Sequence, residues 1–347
     1  MIVGIDTSPL AGQSATRGIG MYTKHLVSHL AEIGETEVFE ITDGEIPKQV
    51  QIIHYPFFDL FFATLPMIRK RPTVVTIHDV TPLVLPQLYP VGLKGKFNLV
   101  RQKLALRSVN AILTDSVASR NDIVKYLNVA LEKVFVVPLA AQEGLDIMAS
   151  DELKAIGEKF KLPSRYVVYV GDVNPNKNLR SLVNACESIE CSLLIVGKQA
   201  VNQDIDTNHP ETQDLVWLQK KATESPYLRL LGYVETSELA GIYRMASMAC
   251  IPSLYEGFGL PVLEAFSCGC PVVTTKNGSL PEVGGDAAIY AHQDSKGLAK
   301  AISFVLKLND TNRQKLVQLG FKQAKKFSWR ETADKTRSIY QQILNSR

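Results

Sequence analysis

Short apolar runs rich in Val and Ile alternate with amphipathic stretches along most of the chain. The runs are typical of buried strands, and the stretches between them, such as residues 20–33 and 116–127, place apolar side chains at helical spacing. Strands that alternate with helices predict parallel sheets of the α/β class. In the first half of the chain the predicted strands are residues 2–6, 51–54, 73–78, 111–114 and 134–137.

The same alternation restarts in the second half, after a polar, helix-like bridge over residues 151–161. The length of 347 residues also favours two domains, because single cores tend to stop growing at roughly 250 residues. The sequence therefore predicts two doubly wound, Rossmann-like domains, covering residues 1–150 and 151–327. The predicted strands of the second domain are residues 166–170, 193–196, 228–231, 248–251 and 272–274.

Residues 328–347 have the pattern of a terminal helix. Ser328 and Glu331 have the spacing of a capping box, which marks a helix start. Apolar side chains then recur at helical spacing and predict a face that docks on another element. They are Trp329, Ala333, Thr336, Tyr340 and Ile343.

Composition and charge narrow the class of protein. Apolar residues make up 46% of the chain and charged residues 21%, close to the average of folded soluble proteins. The net charge of +3 gives no electrostatic footprint for nucleic acid, so no nucleic-acid partner is expected. The chain begins without a signal-peptide pattern and has no apolar run of about 18 residues, which predicts a cytoplasmic protein.

The five cysteines are expected to be buried thiols. Their number is odd and all lie in the second half, which argues against a disulfide framework. Cys268 and Cys270 are two residues apart with no second Cys or His cluster, a spacing that does not suit zinc.

Residues 251–265 carry the most informative pattern. A predicted strand ends, a loop with two glycines follows, and Pro261 favours a helix that begins at about residue 260. The free N–H groups at such a helix start attract an anion, typically a phosphate. Glu256 in the loop and Glu264 in the helix flank this position and would accept hydrogen bonds from sugar or ribose hydroxyls. The structural alternative is an ordinary strand-to-helix turn with Glu264 favouring the helix dipole.

The two glutamates enclose Gly-Phe-Gly-Leu-Pro, and Cys-Gly-Cys-Pro-Val-Val follows them in the sequence. This pattern resembles the motif of the retaining nucleotide-sugar glycosyltransferases of family four. Residues 77–82 together with 279–283 are most similar to the bacterial surface-polysaccharide mannosyltransferases of that family. Weaker matches extend over nearly the whole chain. They are Arg17-Gly18-Ile19-Gly20, Ile77-His78-Asp79, Thr114-Asp115-Ser116, Tyr169-Val170-Gly171, Lys177-Asn178-Leu179 and residues 279–288.

The resemblance implies the GT-B architecture, in which two Rossmann-like domains face a cleft and a C-terminal helix crosses back to the first domain. It implies a nucleoside-diphosphate sugar as donor and an acceptor hydroxyl that attacks from the face the diphosphate leaves, without a protein nucleophile. The implied catalytic residues are Lys177 on the diphosphate, Glu256 on the donor sugar and His78 on the acceptor or the sugar's 6-position. The implied donor-binding residues are Gly18, Gly20, Gly171, Phe258, Gly259, Leu260 and the ribose-binding Glu264.

Asp172 departs from the family pattern, which usually has an arginine after the glycine that is here Gly171. An anion aimed at a diphosphate would repel it, so Asp172 is expected to point away from the phosphates. Strand order makes Lys198 the nearest replacement cation, and we add it to the donor-binding candidates. A solvated surface lysine is the alternative.

No metal and no separate cofactor are expected. Asp204 and Asp206 form the one obvious Asp-x-Asp pair, but they lie in a polar loop whose composition favours Asp for turn reasons. His78 follows a predicted strand and is well placed to touch a substrate hydroxyl. His54 also ends a strand, has no family match and is interpreted as structural.

Residues 92–107 mix five cations with six large apolar side chains, and residues 57–62 form an aromatic cluster. Each segment either packs within its own domain or lies on a membrane surface. Packing is the favoured interpretation of each alone, whereas the two together favour a lipid-linked acceptor and peripheral contact with the inner face of a membrane.

Two other classes of protein stay open. One is a paralogue that binds a nucleotide sugar, or stabilises a partner, without transfer. The other is an NAD-type oxidoreductase, which needs a Gly-x-Gly-x-x-Gly turn, whereas Gly18 and Gly20 are followed by Met-Tyr-Thr. For a transferase, GDP-mannose is the first expectation for the donor, and a glycan or lipid-linked molecule in cell-surface polysaccharide biosynthesis for the acceptor.

Overall fold

The computed structural model describes residues 1–11, 18–42, 45–145 and 149–346. These residues form two compact units. The first comprises Met1–Pro86, Pro90–Ala140 and Phe327–Arg347, and the second comprises Gln87–Tyr89 and Ala141–Lys326. In the described residues no helix is both long enough and apolar enough to cross a membrane.

A six-stranded parallel sheet forms the centre of the first unit, with strand order β2-β1-β3-β4-β5-β6. Its inner strands are almost wholly buried because helices cover both faces, as is usual in parallel sheets. The strands are β1 (Ile2–Asp6), β2 (Glu37–Ile41), β3 (Ile52–Tyr55), β4 (Thr73–Thr76), β5 (Ala111–Thr114) and β6 (Val134–Val136). The helices between them are α1 (Gly18–Glu32), α2 (Thr81–Val84), α3 (Leu93–Leu106) and α4 (Val117–Leu127).

The second unit has the same plan, with strand order β12-β11-β10-β7-β8-β9 and all neighbours parallel. Its strands are β7 (Tyr166–Val170), β8 (Ser192–Val196), β9 (Leu228–Gly232), β10 (Met248–Ile251), β11 (Val272–Thr274) and β12 (Ala288–Tyr290). Its helices are α5 (Ser150–Lys159), α6 (Leu179–Ser188), α7 (Gln213–Glu224), α8 (Thr236–Met245), α9 (Leu260–Ser267), α10 (Leu280–Gly284), α11 (Ser295–Leu306) and α12 (Asp310–Ala324).

The predicted α/β class and its two parallel sheets are confirmed. Ten of the strands lie where the sequence predicts them, and five of those match to the residue. The two missed strands lie at sheet edges: β2 contains two glutamates, Glu37 and Glu40, and β12 has three residues. The five cysteines are free and buried, as expected.

The first unit's central segment ends at Ala140, and the second unit resumes at Ala141. Near this junction the side chain of Gln142 donates to Thr236 Oγ1. Gln87–Tyr89 also group with the second unit, because the Tyr89 hydroxyl donates to Asn176 Oδ1 at 2.6 Å.

The terminal helix α13 (Trp329–Asn345) is part of the first unit. Ser328 Oγ caps it by accepting the N–H of Glu331 at 3.1 Å. The buried face of α13 packs along α1, where the indole of Trp329 stacks on the ring of His25 with centroids 4.6 Å apart. Helices α13 and α1 thereby bury these two rings against each other.

A buried polar chain ties α13 to the sheet. His54 Nδ1 lies 2.5 Å from the Tyr340 hydroxyl, and His54 Nε2 lies 2.7 Å from Thr76 Oγ1. Burial, with a smaller contribution from His78, lowers the pKa of His54 to about 3. His54 is therefore neutral and structural, in agreement with its assignment from the sequence.

We expect the free energy of unfolding to fall as the pH drops below about 6.5. The unfolded chain then protonates residue 54, whereas the folded chain keeps it neutral down to about pH 3. Between pH 6.5 and 5 this linkage amounts to roughly 2 kcal/mol. His54→Gln should flatten this part of the pH profile, measured by urea unfolding at several pH values. An acid slope equal to that of the wild-type chain would contradict the assignment.

Candidate active site

The second sheet reverses its strand order between β7 and β10. From β7 the chain adds β8 and β9 on one side, and it then returns to add β10, β11 and β12 on the other. At such a switch point the loops after the two central strands diverge and leave a crevice at the carboxyl edge, where ligands of α/β sheets bind. The loops after β7 and β10 are therefore the place to look for a site.

An ion pair joins these two loops. Lys177 Nζ donates to both carboxylate oxygens of Glu256, at 2.7 and 2.9 Å, and Ser253 Oγ donates to Glu256 Oε1 at 2.6 Å. The lysine side chain is 20% exposed and the glutamate side chain 12%. The structure thus brings together two predicted catalytic residues that are 79 positions apart in sequence, and it adds Ser253, which the sequence analysis missed.

Buried polar contacts fix the backbone around this pair. Asn176 Nδ2 donates to the carbonyl of Tyr255 at 3.0 Å, and the N–H of Leu254 donates to the carbonyl of Asn176 at 2.7 Å. From the loop after β11, Ser279 Oγ donates to the carbonyls of Glu256 and Phe258 at 3.0 and 2.7 Å. Phe258 itself is buried. The loops after β7, β10 and β11 therefore hold one another in place.

Helix α9 begins at Leu260, as the sequence predicts, and Pro261 occupies its second position. Gly259 caps it with φ of +101°, a left-handed conformation that favours glycine. The first N–H groups of a helix have no partner inside it, so this end carries partial positive charge. It lies three residues after Glu256, at the carboxyl edge of β10.

Glu264 lies one turn into α9, half-buried, and accepts a hydrogen bond from the Tyr243 hydroxyl at 3.3 Å. Burial raises the pKa of Glu264 to about 7, and the bond from Tyr243 opposes that shift only in part. Without a ligand this carboxyl is half protonated near neutral pH. Ligand hydroxyls that donate to it would favour its ionised form.

Two glycines bring the backbones of β7 and β8 close together at the same edge. Gly171 directly follows β7 and has φ of +141°, and a Cβ on Gly197 would lie 2.4 Å from the carbonyl oxygen of Gly171. The next residue, Lys198, is exposed and begins a short 3-10 helix. The carbonyl of Asp172 accepts the Tyr169 hydroxyl at 2.7 Å. The roles expected for Lys198 and for the Asp172 carboxylate stay predictions.

His78 and Asp115 form a pair at the carboxyl edge of the first sheet. They follow the adjacent strands β4 and β5, and His78 Nδ1 lies 2.8 Å from Asp115 Oδ2. Burial alone would lower the pKa of His78, but the carboxylates of Asp115 and Asp79 and the carbonyl of Pro56 outweigh it and leave this pKa raised. Burial has the opposite effect on a carboxyl group, and it raises the pKa of Asp115.

This pair sets the orientation of the imidazole. With Nδ1 donating to Asp115, Nε2 of a neutral His78 is an acceptor, and it makes no hydrogen bond of standard geometry to a described residue. The ring of Tyr22 packs edge-on against His78 with centroids 4.8 Å apart. Such an arrangement can take a proton from a hydroxyl or, once protonated, donate to an anion.

The predicted glycine loop near residue 18 lies at the start of α1. Gly18 and Gly20 occupy the first turn of this helix, and Gly20 is buried. Their role in donor binding stays a prediction. Side chains of α1 from Tyr22 onward are buried in the first unit, and the helix extends toward the amino terminus as far as residue 18. Arg17 lies outside the described residues.

Asp204 and Asp206 lie in an exposed loop, as expected from its composition. Asp206 Oδ1 accepts the N–H of Asn208 at 2.9 Å, and the N–H of Asp204 donates to Asn202 Oδ1 at 3.2 Å. In the ranges that the structure describes, neither joins a group of three ligating side chains. Their visible role is to shape turns.

Comparison with known proteins places this site in a class. The family model for glycosyl transferases group 1 matches residues 151–323, which contain Lys177, Glu256 and Glu264. The chain is 30% identical over 282 residues to the O-antigen chain mannosyltransferase B of Escherichia coli, covering 78% of this chain and 71% of that protein. The chain belongs to the group 1 glycosyltransferase family.

Solved structures agree on the fold. Sucrose-phosphate synthase from Thermosynechococcus elongatus aligns with a TM-score of 0.76 at 18% identity, over 100% of this chain and 99% of that one. Anabaena HepE in complex with UDP and glucose aligns with a TM-score of 0.72 at 17% identity, over 98% and 99% of the two chains. These likenesses confirm the predicted GT-B fold class.

We expect nucleoside diphosphate to bind more tightly to this chain as the pH rises through about 7, because ribose hydroxyls bond best to an ionised Glu264. Glu264→Gln should weaken binding by about 1.5 to 3 kcal/mol and remove this part of the pH dependence. Calorimetry from pH 6 to 8 on both chains measures this pH dependence. The nucleotide's own phosphate titrates in the same way with either chain, so the difference between the two profiles reports Glu264. Parallel pH profiles for the two chains would rule out the ribose role of Glu264.

Proposed function

We propose that this chain transfers mannose from GDP-mannose, with retention of anomeric configuration, to a lipid-linked glycan of cell-surface polysaccharide. The glycosyltransferase activity follows from its family. The mannosyl specificity is supported by the relative in Escherichia coli, whose name states that it is an O-antigen chain mannosyltransferase. The use of a nucleotide sugar is supported by HepE, which was solved with UDP and glucose.

The Lys177–Glu256 ion pair at the switch point is the observation that carries the proposal. The ammonium of Lys177 and the carboxylate of Glu256 lie within 2.9 Å of each other. The site therefore offers a cation for the phosphates of a sugar diphosphate and a hydrogen-bond acceptor for its sugar hydroxyls. Lys177 and the amides of Gly259 and Leu260 stabilise the departing diphosphate, which gains charge as the glycosidic bond breaks. Glu256 binds hydroxyls of the sugar, and Glu264 binds the ribose.

The reaction needs no protein nucleophile. The acceptor oxygen bonds to the anomeric carbon from the face that the diphosphate leaves, the bond from that carbon to the diphosphate oxygen breaks, and the acceptor's proton passes to the leaving phosphate. His78, oriented by Asp115, contacts the acceptor or the 6-position of the sugar. Protein cations and amides meet the phosphate charge in this scheme, so transfer does not require a divalent metal.

The function is tested by incubating the chain with GDP-mannose and a lipid-linked glycan, with and without excess EDTA. We expect a mannosylated product whose anomeric configuration, read by NMR coupling, equals that of the donor, and equal rates in both reactions. An inverted product would refute retention. Loss of activity in EDTA that manganese restores would refute the metal-free scheme. Donor binding without transfer or donor hydrolysis would identify a binding paralogue.

Lys177→Ala should lower kcat by about 10²-fold at saturating donor, as loss of one preorganised donor to a developing anion does in other enzymes. Lys198→Ala should cost less and act mainly on the affinity for donor. Lys221→Ala is the matched control, because Lys221 is also half-buried and paired with a carboxylate, Glu187, at 3.0 Å, on helices α6 and α7. Equal effects of Lys177→Ala and Lys221→Ala on kcat would show that the phosphate site lies elsewhere.

A further inference from the structure

Helix α3 of the first unit is apolar on two opposite faces. One face packs inward through Gln102, Ala105 and Leu106, which are buried. The opposite face is exposed: 86% of Leu93 and 70% of Phe97 are accessible, followed by Val100 and Leu104. A helix that only packs on its domain would present polar side chains there.

The exposed apolar residues form one stripe with cations on both sides. Residues 93, 97, 100 and 104 fall on one face, because successive residues turn by about 100°. On the same wheel Lys94 and Arg101 lie on one flank of this stripe, and Lys96 and Lys103 lie on the other. Long cationic side chains in these positions reach outward while their stems lie along apolar surface.

A neighbouring loop packs on the inner side of α3 and also exposes apolar side chains. Asn98 Nδ2 donates to the carbonyl of Phe61 at 2.8 Å, and Gln102 Nε2 donates to the carbonyl of Asp59 at 2.8 Å. The same loop leaves Phe62, Met67 and Ile68 exposed. Of the fourteen large apolar side chains exposed in the described residues, seven lie in these two segments. We call them together the α3 surface (residues 62–70 and 93–107).

The α3 surface is also the basic part of a chain that is otherwise slightly acidic. Residues 59–115 contain eight Lys and Arg and three acids, Asp59, Asp79 and Asp115, although the whole chain has a net charge of only +3. Asp59 Oδ1 accepts the N–H groups of Phe61 and Phe62, and Asp115 pairs with His78. Asp79 Oδ1 is engaged at the start of α2, where it accepts the N–H of Thr81 at 2.7 Å. The cations of the surface therefore have few local counter-charges.

We propose that the α3 surface binds the surface of an anionic lipid bilayer. An exposed apolar stripe flanked by cations is the arrangement of interfacial helices, whose apolar side chains enter the acyl boundary while the cations meet lipid phosphates. A second copy of this chain would present the same positive charge and be repelled. Nucleic acid would pair with the cations but leave the stripe exposed to water.

A cavity in the first unit shares residues with this surface. It has a volume of about 560 Å³, lies at the carboxyl ends of β1 and β3, and is lined in part by Tyr55, Ile68, Arg69 and Lys70. The lining also includes one carboxylate, Asp6, which accepts the N–H of Ser8, but apolar and cationic side chains predominate and suit the phosphate-bearing head of a lipid. This cavity deepens the proposed function and rests on it: the bilayer that the α3 surface binds would also present the lipid-linked acceptor.

Co-sedimentation of the full chain with vesicles tests the surface without any transfer reaction. We expect binding to vesicles of phosphatidylglycerol and phosphatidylcholine, weaker binding at high salt, and little binding to phosphatidylcholine alone. Lys94→Gln with Lys96→Gln should weaken binding by about 30-fold, since each cation near an anionic surface contributes about 1 kcal/mol. Leu93→Ser with Phe97→Ser should weaken it at least about 10-fold.

The matched controls are Lys315→Gln with Lys322→Gln, two exposed lysines of α12, and Phe304→Ser, an exposed aromatic side chain of α11. They should bind vesicles like the wild-type chain. No vesicle binding, or equal losses in controls and α3 variants, would overturn the proposal, as would a dimer in light scattering that Leu93→Ser with Phe97→Ser dissociates. Vesicle binding is measured without GDP-mannose or acceptor, so its failure is distinguishable from a failure of the transfer assay that tests the proposed function.

Discussion

The ion pair of Lys177 with Glu256 is the interaction on which the second unit's site depends. Removing two charges from water is costly, and a paired arrangement offsets that cost only when geometry and additional hydrogen bonds are good. Here Ser253 supplies one further bond, and the loops after β7, β10 and β11 are fixed by Asn176 and Ser279. An apolar pair of similar size would stabilise the fold as well. What the charges add is a preorganised ammonium and carboxylate at the edge where we propose that a sugar diphosphate binds.

Parallel strand order explains why the other functional groups lie where they do. In each unit the strands point the same way, so the loops that follow them gather at one edge. His78 and Asp115 meet because β4 and β5 are neighbours. The same order lets a buried chain from Tyr340 through His54 to Thr76 anchor the terminal helix directly beneath that edge.

The sequence predicts ten of the twelve described strands and the start of α9 because each leaves a local pattern: a run of β-branched residues, or Pro261 after Gly259. It does not predict that Tyr243 bonds to Glu264 or that Asp115 bonds to His78. Those contacts depend on strand order and on which helix covers which face, and neither is written in local spacing. The two-faced character of α3 is visible in sequence as apolar residues among cations, but only burial shows which of them face water.

The most direct test of the account is a crystal structure of the chain with GDP bound. The account predicts the β-phosphate at the amino end of α9 with Lys177 Nζ in contact with it, the ribose hydroxyls on the carboxylate of Glu264, and Glu256 free to receive the sugar. A nucleotide bound elsewhere, or bound with the Lys177–Glu256 pair intact and remote from both phosphates, would contradict it.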